Sequence, residues 1–573
     1  MIETDSTRTA SMPLVAEIAI VGAGPAGIVL ALELARSGHD VLLIESGGDA
    51  QQADTQQLGD LRTDDPYHVS MSLATSRQLG GASNLWGGRC VPFDPLDFKP
   101  RAIVDHASWP VDYAELTPYF QRACDWFLCG EASFSATGIP KLARRSIVPG
   151  FPDGEVSASS LERWSLPTNF GRVYRAALAG TRGVRLIQNL TCTEIVTDAA
   201  GDVAYLQASS LEGTEIEIHA GHYVLACGGL ETTRLMLASK RRDRDGLGNQ
   251  SGHLGRYYMA HVECRIAQVH FSTAPEQTIY DHERDSDGVY VRRRLTFSEE
   301  HLDEHELPNI AMWLVNPEMS DPSHGSGVLS FAYLMLASPL GRRFVADGIR
   351  QAHAKPVDFA QIRRHLLNVL RGLGPTISFA FSFGYRRYLK RGRKVPGFFV
   401  KSATNTYPIL YHAEHLPHRD SFVELAPERD ATGLPRLRTH LHFDARDIVS
   451  VVRAHERLDA YLRKHGLGHV EFIYDDPEAA VRAQLFGGYH QAGTTRMSEL
   501  ESDGVVDRNL AVHGCENLSV ASSSTFVTSG QANSTFMLIV FALRLAARLH
   551  QLSQEESETV RAPVRHASAG ARR

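Results

Sequence analysis

The chain has 573 residues, of which 43% are hydrophobic and 22% charged, an ordinary globular composition that excludes collagenous, low-complexity and wholly disordered readings. Lys plus Arg number 59 against 66 Asp plus Glu, a formal net charge of −7, which argues against a dedicated nucleic-acid binder. Seven cysteines without a C-x-x-C pair fit a reducing compartment better than a disulfide scaffold. No leader is expected in the polar first 13 residues, and the apolar run Phe536 to Leu543 is too short for a membrane span. A cytoplasmic protein with no transmembrane segment is therefore expected.

In chain order, Ala16 to Val21 (AEIAIV) reads as a strand, Gly22-Ala23-Gly24-Pro25-Ala26-Gly27 as a turn, Ile28 to Leu34 as a helix and Val41 to Ile44 as a second strand. This is the size of a βαβ unit. Gly22 permits the tight turn, Gly24 lets backbone approach a pyrophosphate, and Gly27 lets helix and strand pack closely. The helix N-terminus offers amide donors to phosphate. Glu45, followed by Ser46, stands where a carboxylate accepts the hydroxyls of an adenosine ribose and repels a 2′-phosphate. The unit alone does not separate FAD from NAD.

Further on, a Gly-rich stretch covers Gly80 to Gly88, and Thr117 to Phe127 reads as a helix with Pro118 in its first turn. Val184 to Gln188, Cys192 to Thr197, Ala204 to Ser209 and Glu215 to His219 read as a β-meander. Tyr223 to Ala226 is a buried strand running into Gly228-Gly229 and a helix over Glu231 to Leu237. Cys124 and Cys129 are read as packing residues rather than a redox pair. The segment Tyr385 to Lys394 (YRRYLKRGRK) is strongly basic. It reads as a solvated face first, and as a surface for an acidic partner or lipid second.

The C-terminal part carries GGYHQAGTTRM (487–497), DGVVDRNLAVHGCENLSVASSSTF (503–526) and SGQANSTFMLIVFALRLAARL (529–549). His490 sits among small residues, which suits an imidazole facing a cavity, although spacing alone favours a satisfied core histidine. Asn533 precedes a helix capped by Ser534, whose N-terminus would favour a reduced, anionic isoalloxazine.

Taken together, these segments resemble the glucose–methanol–choline (GMC) family of flavin oxidoreductases. GGASNLWGG (80–88), YVLACGGLETTRLML (223–237), HQAGTTRM, GVVD, ENLSVAS and GQANSTF match its motifs in order. The resemblance covers both ends of the chain well and the middle vaguely. It implies an α/β fold, with a Rossmann-like FAD-binding domain over 14–105, 181–275 and 481–555. A discontinuous α+β substrate domain on a mixed sheet would take 106–180 and 276–480, with disordered tails at 1–13 and 556–573. It implies FAD contacts from Gly22, Gly24, Pro25, Ala26, Gly27, Glu45 and Ser46, from Gly80, Gly81, Ser83, Asn84, Leu85, Trp86 and Gly87, and from Thr193, Ala226, Cys227, Gly228, Ser522, Ala532, Asn533 and Ser534.

By the same resemblance His490 is the catalytic base and Asn533 its partner. An Asn at the second position resembles the branch that includes pyranose oxidases and bacterial glycoside 3-oxidases. Leu85 stands where a pyranose oxidase has its flavin-linked histidine, so FAD is expected to be non-covalent. Ser522 lies in Ala521-Ser522-Ser523-Ser524, where the family usually carries an acidic residue. His261 is read as structural, Glu414 and His415 as substrate-side or salt-bridged, and Arg89 and Cys90 as touching the ring or packing beneath it. The implied reaction is oxidation of an alcohol by hydride transfer to flavin N5, on a ring hydroxyl of a sugar or glycoside. Dioxygen or another acceptor would reoxidise the flavin, and oligomers are possible. No metal is expected. The alternatives are a flavin lyase of the oxynitrilase kind and a dehydrogenase of a non-sugar alcohol.

Overall fold

The computed structural model describes residues 2–4, 12–62, 65–105, 107–339, 341, 350 and 355–561. Two eight-stranded sheets organise them. The first begins with the expected βαβ unit. Strand Leu14–Val21 pairs in parallel with Val41–Glu45, Ile18 opposite Val41, and helix Pro25–Arg36 crosses between them. Both strands and the helix between are almost wholly apolar and buried, as a parallel sheet covered on both faces requires. Strand Glu215–Leu225 joins on the other side, and Leu518–Val520 pairs in parallel with it.

Three expectations change here. Val184–Gln188 belongs to no meander. It pairs in parallel with Val41–Glu45, because Val184, Leu186, Ile187 and Gln188 are all buried, the pattern of an interior parallel strand. The meander is Thr191–Thr197, Val203–Ser209 and Glu215–Leu225, the last continuous where two strands were expected. At the N-terminus, Ile2–Thr4, expected in a disordered tail, add a parallel edge strand against Leu186–Gln188. At the other end helix Thr535–Arg561 overruns the expected tail boundary, and residues 562–573 lie outside the described ones.

Within that helix, Thr535–Glu555 is long and apolar enough to cross a membrane by length and composition. Its Phe536, Met537, Ile539, Val540 and Phe541 are instead buried in the core that also holds helix Pro25–Arg36.

The second sheet runs in the order Gly468–Phe472, His261–Phe271, Thr406–Glu414, Ile310–Leu314, Tyr290–Phe297, Val156–Trp164, Arg89–Cys90. Every pairing in it is antiparallel, where a mixed sheet was expected. Arg89–Cys90 and His261–Phe271, grouped by sequence with the FAD-binding part, are strands of this sheet. Its register sets His412 opposite Glu263, Glu414 opposite His261, and Arg292 opposite Glu162.

Candidate active site

Two cavities meet near Trp86, which lines both. The first follows the βαβ unit. Gly22, Gly24, Pro25, Ala26, Glu45, Ser46, Gly81, Ser83, Ala226, Cys227, Gly228 and Ser534 all line it. Gly22 has φ +102°, and a Cβ there would stand 2.5 Å from the Ala226 carbonyl oxygen. A Cβ on Gly27 would meet the Gly22 carbonyl oxygen at 1.9 Å, so helix and turn pack backbone to backbone. A Cβ on Gly24 would meet no protein atom within 4 Å, so this glycine opens onto the cavity rather than onto protein.

The helix behind Gly24 has no side-chain cap, which leaves first-turn amides free for an anion. Glu45 is pinned from below. Its Oε2 accepts from the Ala23 amide at 2.8 Å and its Oε1 from the Gly47 amide at 2.9 Å. Each oxygen keeps a second lone pair for a ribose hydroxyl. Burial pushes its carboxyl up, against those amides. A glycine cradle, an uncapped helix start and a buried carboxylate at the far end of one channel are a donor set that fits an adenine dinucleotide.

Some expected contacts fall elsewhere. Thr193 does not line this cavity. The ladder shifts register between Cys192 and Glu194, so the Thr193 hydroxyl donates to the Gln207 carbonyl at 3.2 Å, and Thr191 and Cys192 face the cavity instead. Ser522 is buried and its Oγ accepts from the Ser524 amide, while Ala521 and Ser523 take the lining positions. Gly80 and Ala532 are buried behind the walls. Asn84 holds its own turn by donating to the Leu79 and Gly81 carbonyls, and with Leu85 and Gly87 it lines the second cavity. Arg77, Glu231, Tyr489 and Gln491 line the first cavity without having been singled out by sequence. Arg77 and Glu231 form an ion pair at 2.8 Å.

His490 and Asn533, 43 positions apart in sequence, come together. The Asn533 Nδ2 donates to His490 Nε2 at 2.8 Å. The orientation of that amide follows from Arg89, whose Nε, a donor only, lies 2.5 Å from Asn533 Oδ1. His490 Nε2 is therefore the unprotonated nitrogen. Its Nδ1 lies 3.0 Å from His261 Nδ1, so His490 donates there and His261 accepts. Burial, with the Arg89 charge second, lowers the His490 pKa to about 3. The imidazole is neutral at ordinary pH, with the single lone pair of its unprotonated Nε2 held by the Asn533 amide, the protonation state a general base needs.

Beneath lies a layer of side chains from the antiparallel sheet. His261 stacks on His412 with ring centroids 4.0 Å apart and planes at 21°. His412 Nδ1 donates to the Gln531 carbonyl at 2.6 Å. Burial holds both imidazoles well below the usual histidine range. His261, His412 and His490 thus form a cluster of metal-ligating types that spacing did not reveal. Nearly parallel rings, however, cannot aim two in-plane lone pairs at one ion, so His261 and His412 as arranged are a neutral stack under His490. Arg89 also faces Glu162 at 3.4 Å and lies 4.8 Å over the Trp313 ring.

Glu414 and His415 lie outside the site. Glu414 pairs with Arg101, both buried, and His415 bridges the Ala260 amide and the His442 carbonyl. Cys90, Cys124 and Cys129 are free and buried.

The second cavity holds about 1280 Å³. Glu263, Arg292, Asn316 and Gln484 supply polar groups, and Phe379, Phe383, Phe398 and Phe399 an aromatic wall.

An FAD dependent oxidoreductase family model matches residues 17–416, and a GMC oxidoreductase model matches 417–542. The chain belongs to the FAD-dependent oxidoreductases, of the GMC type. Within that class it is 28% identical over 298 residues to paromamine 6′-oxidase of Streptomyces fradiae, a match covering 42% of this chain and about half, 52%, of that protein. It is 21% identical over 594 residues to 2-methyl-1,2-propanediol dehydrogenase of Mycolicibacterium austroafricanum, covering 92% and 94% of the two chains. Among solved structures, pyridoxine 4-oxidase from Mesorbium loti superposes with a TM-score of 0.53 at 16% identity, over 94% of this chain and 99% of that one, a likeness of fold.

Proposed function

We propose that this protein oxidises an alcohol to a carbonyl, with His490 as general base and a ring hydroxyl of a sugar or glycoside as the reacting group. The observation that carries the reading is the Arg89–Asn533–His490–His261 chain, which leaves one neutral imidazole nitrogen unprotonated beside an oriented amide donor.

Bound FAD supplies a two-electron acceptor for the carbon-bound hydrogen. The protein's own residues do the rest. The substrate hydroxyl displaces the Asn533 Nδ2 donor from His490 Nε2, donating to the imidazole and accepting from the amide it has released. His490 takes the hydroxyl proton as the carbon–hydrogen bond breaks, while its Nδ1–H stays on His261, which keeps the ring from turning. A base so placed contributes roughly 10²–10⁴ in rate. Glu45 and the glycine turn hold the dinucleotide end of the cofactor. Leu85 has no nucleophilic atom, so we propose that FAD is bound without a covalent link, which release of flavin on acid precipitation tests.

The sugar reading draws on the Asn533-type site, on the partial likeness to a protein named for oxidation of paromamine, and on polar groups and aromatic faces in one large cavity. A non-sugar alcohol is the second reading, favoured by the full-length likeness to a propanediol dehydrogenase. An anaerobic screen of sugars, glycosides and diols, followed by flavin bleaching, tests both. Bleaching by glycosides supports the first reading, bleaching only by small diols the second, and bleaching by neither sinks the oxidation itself in favour of lyase chemistry.

A further inference from the structure

Residues 359–401 carry ten Lys and Arg and no Asp or Glu, within a chain of net charge −7. The same segment holds an unusual concentration of exposed apolar side chains. Of the nineteen large hydrophobic residues that are exposed among the described residues, ten lie between Phe359 and Leu389. They belong to helix Phe359–Arg371, helix Leu373–Gly384 and the single π-helical turn Tyr385–Leu389 that follows.

Their spacing is regular. Leu373, Ile377 and Phe381 recur every four positions of one helix, so they form one stripe on its face, with Leu370 ending the helix before it and Tyr385 opening the turn after it. Phe381 is 78% exposed and Leu370 66%. The opposite sides of these helices are anchored. His365 Nδ1 bonds the Ser330 hydroxyl, and the Asn368 amide donates to the Pro322 carbonyl. Phe379, Ala380 and Phe383 line the 1280 Å³ cavity. The stripe is therefore held outward by a packed inner face.

We propose that this surface docks the protein on an anionic phospholipid bilayer, with the apolar stripe in the headgroup–acyl boundary and Lys390 and Arg391 on lipid phosphates, the neighbouring Arg387, Arg393 and Lys394 being bonded to backbone carbonyls. An apolar face flanked by cations and free of acids is what an interfacial helix needs. A second copy of this chain is the poorer occupant, because it would bring ten like charges against ten. Nucleic acid or an acidic protein would satisfy the cations but leave Leu370, Ile377 and Phe381 in water. Ile377, Phe381, Lys390 and Arg391 do not line the 1280 Å³ cavity, so they can be changed without touching the substrate's surroundings.

The test is sedimentation of the FAD-loaded enzyme with phosphatidylcholine vesicles, with and without phosphatidylglycerol. Wild type is expected to sediment with the phosphatidylglycerol vesicles and far less with phosphatidylcholine alone. Ile377→Glu with Phe381→Glu, and separately Lys390→Glu with Arg391→Glu, are expected to lower the bound fraction about tenfold or more. Flavin content and turnover of a water-soluble alcohol should stay at the wild-type level. Wild type left in the supernatant of every vesicle overturns the proposal. So do variants that bind as wild type does, or a wild type that binds duplex DNA as tightly as the anionic vesicles.

Discussion

Replacing Arg89 tests the reasoning about the active site most directly, because Arg89 does two separable things. Its Nε fixes the Asn533 amide by accepting no alternative arrangement, and its charge helps keep His490 deprotonated. Arg89→Met removes both. A hydrogen bond to a charged group is worth about 1.5–3 kcal/mol. If that is what selects the productive amide orientation, kcat falls about 10- to 100-fold. A flipped amide would present Oδ1 to His490 and call for a proton on Nε2, the nitrogen that must be free. The second effect shows in pH. A base works only when unprotonated, so activity is lost as pH falls through its pKa, which stands at about 3 in the wild type. Removing the guanidinium moves that acid limb upward, while burial still holds it below an exposed histidine's. Arg89→Lys separates the two: the charge stays, so the limb stays low, but the planar fork is lost and kcat falls. The assay is the rate of anaerobic flavin reduction against pH for the three proteins. An Arg89→Met enzyme with unchanged rate and an unmoved acid limb would falsify the orientation argument.

Three other outcomes follow from the same geometry. His490→Ala should lower kcat by roughly 10²–10⁴ with FAD still bound, and a variant that retains full turnover removes His490 from the mechanism. Gly24→Ala should leave the thermal midpoint of the apoprotein unchanged, since a Cβ there meets no protein atom, yet weaken FAD affinity about tenfold or more by taking cofactor space. Equal FAD affinity in a titration would show that the pyrophosphate does not pass that point. Glu414→Ala takes from buried Arg101 its nearer carboxylate and leaves it only Asp97 at 3.9 Å; it should cost about 3 kcal/mol of stability without changing kcat, and a fall in kcat at constant stability would place Glu414 on the substrate side after all.

The parts of the fold legible in sequence are those where neighbours in the chain are neighbours in space. The glycine turn, its helix and Glu45 sit within 24 residues and form one closed unit. Val184–Gln188 was misplaced because a buried interior strand and a meander strand of five apolar-rich residues look alike until their partners are known. Thr193 failed for a smaller reason: a single register shift moves a side chain off the cavity, and nothing local marks the shift.

The layer under the base shows the limit most clearly. Arg89, His261 and His412 come from three strands more than 140 positions apart in sequence, and only antiparallel register brings His412 opposite Glu263 and His261 beneath His490. The His490 motif marks the residue we propose as the base but not its protonation state. That state depends on which nitrogen is engaged, and the engagement is decided by a donor-only guanidinium 401 residues away acting through an amide. Sequence motifs of this kind name the residue proposed to touch substrate. The tautomer that lets it act is a property of the sheet, which is why Arg89, rather than His490 itself, is the more stringent place to test the mechanism.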